Sequence, residues 1–280
     1  MKYTDAIKVH CKNLHELSLR SELSRRQISN TAMQLAELML KNEGGEDAGA
    51  LYKKFRALSP YIESEDGANF CRMLARSDKI TSSTGYGNAV PGSHGKVAIV
   101  RNEYNESAFS VFSHMINNAK SIYSPSFSAA FESVLDGKCE FCICPVESSQ
   151  SGRLFGFYSM LDRYELKISA VCSLDAENES VKYALVGNSL PDRMPKSKTV
   201  YHEYSVISHN VEFPADIIKV LPIFGAHLIK VDSLPVAYDN VQQKYFFTLR
   251  LPPSELSALE IYLSSEYAQY THIGSYHAIK

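Results

Sequence analysis

The chain has 280 residues, 45% hydrophobic and 21% charged, with a net charge of −2. That length fits two or three domains of roughly 100–200 residues each, and the composition is globular. The charge balance excludes a strongly basic nucleic-acid binder and gives no case for a membrane surface. No apolar run reaches the roughly 20 residues of a membrane helix, and MKYTDAIKVHCKNLHELS lacks a signal-peptide core, so the expected location is cytoplasmic.

Residues 1–80 read as helical. The first segment runs from about Thr4 to Lys41 without Pro or Gly. Leu14, Leu17, Ile28, Leu35 and Leu38 recur at helical steps along it. Gly44-Gly45 ends it. A short helix from Asp47 to Leu58 follows, and Ser59-Pro60 opens a third that reaches about Ser77. Long, short and medium helices predict a hairpin or bundle, with a partner chain covering its apolar face. Residues 81–95, TSSTGYGNAVPGSHG, have the composition of a linker.

From Lys96 the texture changes. KVAIV, SIYS and CEFCICPV read as strands, and residues 109–119, 126–135 and 152–164 as helices. LKISAVCSL and VKYALVG are two further strands. The alternation predicts one α/β lobe over 96–190, with a mainly parallel sheet covered on both faces. Six cysteines in so long a chain do not form a disulfide framework. Cys142 and Cys144 stand two apart in an apolar run and share a strand face. Burial as small hydrophobes is the favoured reading over zinc, which needs a tight turn between thiolates and a second ligand pair. No metal and no other cofactor is expected.

Residues 191–198 form a second polar break, with prolines at 191 and 195. Residues 199–280 then read as strand, helix, strand, strand, helix, strand. That is the ferredoxin-like βαββαβ order. The predicted fold class is therefore α/β with α+β, in several domains.

These parts, in this order, resemble the prephenate dehydratase family. PVESSQSGRLFGFYSMLDRYELKI is similar to the family's Pro-Ile-Glu-Asn-Ser-x-x-Gly, helix and Leu-Lys-Ile. GAHLIKVDSLP resembles Gly-Ile-Asn-Leu-x-Lys-Ile-Glu-Ser-Arg-Pro of the ACT regulatory domain, and Gly274-Ser275-Tyr276 its terminal Gly-Ser-Tyr. The helical segment stands where bifunctional members carry chorismate mutase. The resemblance implies a ligand rim at Glu147, Ser148, Ser149 and Gly152, where a strand end and a helix N-terminus suit a carboxylate. It implies mutase-like cations at Lys8 and Arg25, seventeen residues apart on the first helix. For an ACT ligand it implies Glu212, Phe213 and Pro214 together with Asp232, Ser233, Leu234 and Pro235.

Three departures oppose ordinary dehydratase activity. The family's glycine-rich turn is here Arg101-Asn102-Glu103-Tyr104-Asn105-Glu106-Ser107, whose carboxylates repel a dianion. The catalytic Thr-Arg-Phe is matched by Val181-Lys182-Tyr183, and valine has no hydroxyl to assist proton transfer. The family's second lobe lies between Leu-Lys-Ile and Thr-Arg-Phe; here only DAENES joins LKISAVCSL to VKYALVG. The mutase-like segment also has Ala36 where another lysine is expected.

The leading expectation is a non-catalytic or regulatory relative tied to phenylalanine biosynthesis. The alternatives are an active mutase or prephenate-converting enzyme (dehydratase or decarboxylase) completed by a partner subunit, and a dimerising interaction protein. Expected partners are phenylalanine, prephenate or chorismate, and a second copy in a homodimer or higher homo-oligomer. Nucleic acid and membrane are not expected partners.

Overall fold

The computed structural model describes residues 3–18, 23–43, 47–77, 95–176, 179–188, 200–208, 213–236, 239–276 and 278–279. Most of both predicted linkers and Glu212 lie outside these residues. Contacts divide the chain into two compact units: Met1–Thr84, Val206–Tyr245 and Leu251–Tyr270 in the first, and Gly85–Ser205, Phe246–Arg250 and Thr271–Lys280 in the second. Among the described residues no helix is long and apolar enough to cross a membrane.

The N-terminal segment is helical, but its first helix is not continuous. α1 (Tyr3–Ser18) and α2 (Leu23–Glu43) are separate helices that pack against each other. Packing lets them cover each other, with Leu14 of α1 and Leu35, Ala36 and Met39 of α2 buried. One straight helix would leave these stripes far apart. α3 (Ala48–Ala57) begins at Asp47, whose side chain accepts from Ala50 N at 3.1 Å. α4 (Ser64–Ala75) starts later than Ser59-Pro60 suggests, because Glu63 and Asp66 close a capping box there.

The second unit is built on β1 (Lys96–Val100), β2 (Lys120–Ser124) and β3 (Phe141–Ser148), all parallel. Between them run α5 (Glu103–Ser113) and α6 (Phe127–Leu135). A two-residue strand, β4 (Gly152–Arg153), folds back on β3 before α7 (Phe155–Arg163). β5 (Lys167–Ala176) and β6 (Glu179–Gly187) pair antiparallel with each other, and β6 pairs antiparallel with β3. The sheet is therefore mixed rather than mainly parallel, because the β5–β6 connection is a hairpin and not a helical crossover. Val97, Ile99, Ile143, Cys172, Tyr183 and Leu185 pack with Ala108 and Phe112 of α5 in one buried cluster. Cys142 and Cys144, out of phase with Ile143, are also buried, as expected of small hydrophobes in a strand. α6 and α7 meet through the Phe131 ring, 6.2 Å from Phe157 and 5.7 Å from Tyr164.

The C-terminal elements are β7 (Tyr201–Ser208), α8 (Phe213–Val220) with a 3₁₀ turn at Leu221–Phe224, β8 (His227–Val236), β9 (Asp239–Arg250), α9 (Leu256–Glu266) and β10 (Tyr270–Tyr276). Their strands neighbour one another in the order β10-β7-β9-β8. That is a ferredoxin-like arrangement, and its element order follows the sequence reading. β11 (Ala278–Ile279) pairs parallel with β5, as β10 does through Gly274 and Ile168.

Within the first unit α3 and α4 pack on α9. Arg72 reaches both oxygens of Glu255, at 2.8 and 3.1 Å, and Arg76 adds a third bond at 2.8 Å. Burial works against the Glu255 carboxylate, but the two guanidiniums outweigh it and hold its pKa below the usual range. Arg56 lies 2.9 Å from Glu266, and the Tyr52 hydroxyl donates to the same carboxylate.

Candidate functional site

The expected ligand rim lies where β3 ends. Glu147 and Ser148 are its last residues, and β4 returns beside them with Glu147 opposite Arg153 and Ser148 opposite Gly152. The turn between is tight. Ser151 N donates to Ser148 Oγ at 2.9 Å, and Gly152 takes the left-handed conformation at φ +69°. This turn also corrects the predicted helix start. Gly152 and Arg153 are strand, and the helix is entered only at Leu154, whose N–H donates to Val146 O at 2.8 Å.

The other side of the rim is β6. Val181 stands opposite Ser148 and Lys182 opposite Glu147. Ser149 N donates to Ser180 O at 2.8 Å, and Ser180 N donates to Ser149 Oγ at 3.0 Å. Thus the two motifs matched to the family, PVESS and VKY, are direct neighbours. Both serine oxygens accept backbone bonds; Ser148 is buried, and the exposed Ser149 can still donate its O–H to a ligand.

A bulge sets the direction of Glu147. The β3–β6 register shifts between Pro145 and Glu147, so Val146 has no partner across the ladder. One extra residue turns Glu147 to the opposite face from the one regular alternation gives. There it meets Lys182 at 3.3 Å. Lys182, Glu147 and Arg153 form a row of alternating charge across β6, β3 and β4.

The row leads into a buried network absent from the sequence reading. Arg153 and Glu203 are 6% and 3% exposed. Glu203 accepts from Tyr158 at 3.0 Å and Tyr276 at 2.6 Å, and lies 3.9 Å from the Arg153 guanidinium. Arg153 donates to Thr248 at 2.8 Å, and its guanidinium sits 4.5 Å from the centre of the Tyr158 ring. Burial, and then the Glu203 charge, push both phenols well above their usual pKa. They act as hydrogen-bond donors at neutral pH. One signal was available: a polar HEYS inside the apolar strand TVYHEYSVI.

A second buried pair lies on β7 and β10. His202 Nδ1 is 2.7 Å from Ser275 Oγ, and His272 Nε2 is 2.9 Å from the same oxygen. Burial, with the nearby His272, depresses the His202 pKa to about 3, so this ring is neutral in ordinary buffers.

The other expected residues fall elsewhere. The stretch after β1 is not an open loop: Asn102 caps α5 by accepting from Asn105 N at 2.7 Å, and Glu103 and Glu106 occupy the first helical turn. There the acidic side chains suit the helix dipole. The pattern of Asn followed by acidic residues was a readable N-cap. Lys8 is exposed on α1, and Arg25 lies on α2, so they do not share one helix. Arg25 bonds Asp66 at 2.5 Å and lies 3.3 Å from Glu63. Phe213 is buried at the start of α8, its ring 5.0 Å from Tyr245 and 4.9 Å from Tyr267, and Pro214 follows it. Asp232, Ser233, Leu234 and Pro235 lie along β8.

No protein-family model matches the chain, and no curated protein matches it. Solved structures do. A prephenate dehydratase from Streptococcus mutans aligns with a TM-score of 0.56 and 15% identity, over 66% of this chain and 99% of its own. A prephenate dehydratase from Arthrobacter aurescens, solved in complex with L-Phe, aligns at 0.51 and 11%, over 65% of this chain and 89% of its own. GqqA, described as a novel type of quorum quenching acylase, aligns at 0.54 and 14%, over 66% of this chain and 95% of its own. The chain therefore has an α/β fold of the prephenate dehydratase kind.

Proposed function

We propose that this chain is a divergent, non-catalytic relative of the prephenate dehydratases, which binds a small aromatic carboxylate such as phenylalanine or prephenate in a regulatory role. The β5–β6 hairpin carries the reading. Ala176 pairs with Glu179, so residues 177–178 alone join the two strands where the family inserts its second lobe. One lobe does not enclose a substrate, exclude water and hold an acid over a departing hydroxyl.

The rim supports binding rather than chemistry. Lys182 and the exposed Ser149 hydroxyl offer donors to a carboxylate, while Ser148, paired with Val181, is buried and faces the other side of the sheet. Val181 offers no proton donor opposite Ser148. The bound L-Phe of the Arthrobacter aurescens protein supports an amino-acid ligand for this fold. Fold alone does not fix the reaction: a protein described as an acylase shares it. A mutase activity of the helical segment finds less support, because Arg25 is already neutralised by Asp66 and Glu63.

Calorimetric titration with phenylalanine, tyrosine and prephenate tests the reading. Saturable binding of at least one is expected, weakened several-fold by Lys182→Ala if the rim is the site. Absence of binding by all three counts against a ligand-regulated protein.

A further inference from the structure

Strand pairing lines up a polar row on one face of the sheet at the rim. Ser173 of β5 stands opposite Lys182 of β6, Lys182 opposite Glu147 of β3, and Glu147 opposite Arg153 of β4. The bulge at Val146 is what brings Glu147, and not Val146, opposite Lys182. Depth divides the row. Arg153 is buried with Glu203, whereas Lys182 and Glu147 reach solvent. Their Nζ–Oε2 distance of 3.3 Å exceeds the roughly 2.7–2.9 Å of a tight charge-assisted bond. An ammonium carries three N–H donors and a carboxylate about four acceptor positions, more than this one bond uses.

The charges around the pair select the ligand. β1, β3 and β5 end, and β6 begins, at the same edge of the sheet. Glu103, Glu106, Asp175 and Glu179 lie there with Glu147, against the exposed cations Arg101 and Lys182. A dianion brought to this edge meets more carboxylates than cations. A lone amine meets Lys182 as a like charge.

We propose, resting on the regulatory reading above, that the rim takes a zwitterionic α-amino acid, and that Glu147 is the residue that rejects dicarboxylates. The two charges of an α-amino acid sit on one carbon, side by side, as those of Lys182 and Glu147 do across the strands. The ligand carboxylate accepts from Lys182, and the ligand ammonium donates to Glu147. The four charges then alternate around a ring in which every neighbour is opposite. The protein's own pair is extended rather than broken, so neither side chain loses its counter-charge. Ser173, half-buried beside Lys182, offers a hydroxyl to the same carboxylate. Prephenate instead sets a second carboxylate toward Glu147. 3-Phenylpropionate brings a charge for Lys182 and none for Glu147.

Calorimetric titration of the purified chain with L-phenylalanine, 3-phenylpropionate, phenethylamine and prephenate tests it. Phenylalanine is expected to bind about tenfold or more tightly than each of the other three. Glu147→Gln weakens phenylalanine about tenfold, leaves 3-phenylpropionate within a few-fold and strengthens prephenate. Lys182→Met weakens phenylalanine and 3-phenylpropionate alike and leaves phenethylamine within a few-fold. Circular dichroism confirms that each variant is folded. Prephenate or 3-phenylpropionate binding as tightly as phenylalanine overturns the proposal and leaves the regulatory reading standing. So does phenylalanine binding that neither variant changes, or a Glu147→Gln loss equal for phenylalanine and 3-phenylpropionate. Absence of binding by all four overturns both.

Discussion

At the scale of single residues, the row from Lys182 to Glu203 shows how depth changes what a charge is worth. The side chains of Lys182 and Glu147 are 48% and 28% exposed, and those of Arg153 and Glu203 are 3% and 4% exposed. Solvent screens the first pair, so Lys182→Ala is expected to cost under about 1 kcal/mol. Glu203→Gln removes the buried carboxylate charge from the Arg153–Glu203 pair, and a loss of about 3–5 kcal/mol is expected. Urea unfolding of the two variants checks the contrast; equal costs contradict it. His202 makes a pH prediction. Its folded pKa of about 3 lies below the unfolded value of about 6.5, so the unfolded chain takes up the proton first on acidification. Its contribution is fully present above about pH 6.5 and is lost as the pH falls toward 3. Unfolding midpoints across that range should fall in the unmodified chain. They should fall less in His202→Asn.

At the scale of elements, turns and edges decide the candidate site. Gly152 has open space where a Cβ would go, so Gly152→Ala carries the backbone cost alone, about 1 kcal/mol. Gly274 is different. A Cβ there would lie 2.7 Å from Ile168 Cβ and 2.8 Å from its carbonyl oxygen, so Gly274→Ala must push β10 off β5. Thermal melts are expected to show the larger loss for Gly274→Ala; the reverse order contradicts the β10–β5 approach. The two positions also show how far sequence reaches. Gly274 was legible as part of Gly-Ser-Tyr, but its close contact depends on a strand more than a hundred positions away. The β5–β6 hairpin was legible because DAENES is too short for a lobe. The bulge at Val146 was not, since alternation in FCICPVES carries no mark of the extra residue. The Arg153–Glu203 network was hidden because its partners lie 45, 73 and 95 positions apart.

At the scale of the whole molecule, the sequence placed the βαββαβ run and the α/β lobe by periodicity, which is a local property. It did not place the break between α1 and α2, because both halves carry helical spacing and only packing tells one helix from two. The helical segment and the C-terminal helices α8 and α9 fall in one compact unit. Arg72 and Arg76 tie α4 to Glu255 at the start of α9, so helices read as a separate domain share salt bridges with the ferredoxin-like part. Deleting residues 1–77 is expected to expose the α9 surface and aggregate the remainder. The conservative reading of the dehydratase-like lobe also makes a restoration prediction. Under the proposed function, Val181→Thr adds a hydroxyl but no second lobe, and it should remain inactive. The most direct test of the central claim is phenylpyruvate formation from prephenate by the purified protein. The expected result is no release above the spontaneous rate, for the natural chain and for Val181→Thr alike; saturable, protein-dependent formation of phenylpyruvate would contradict the account.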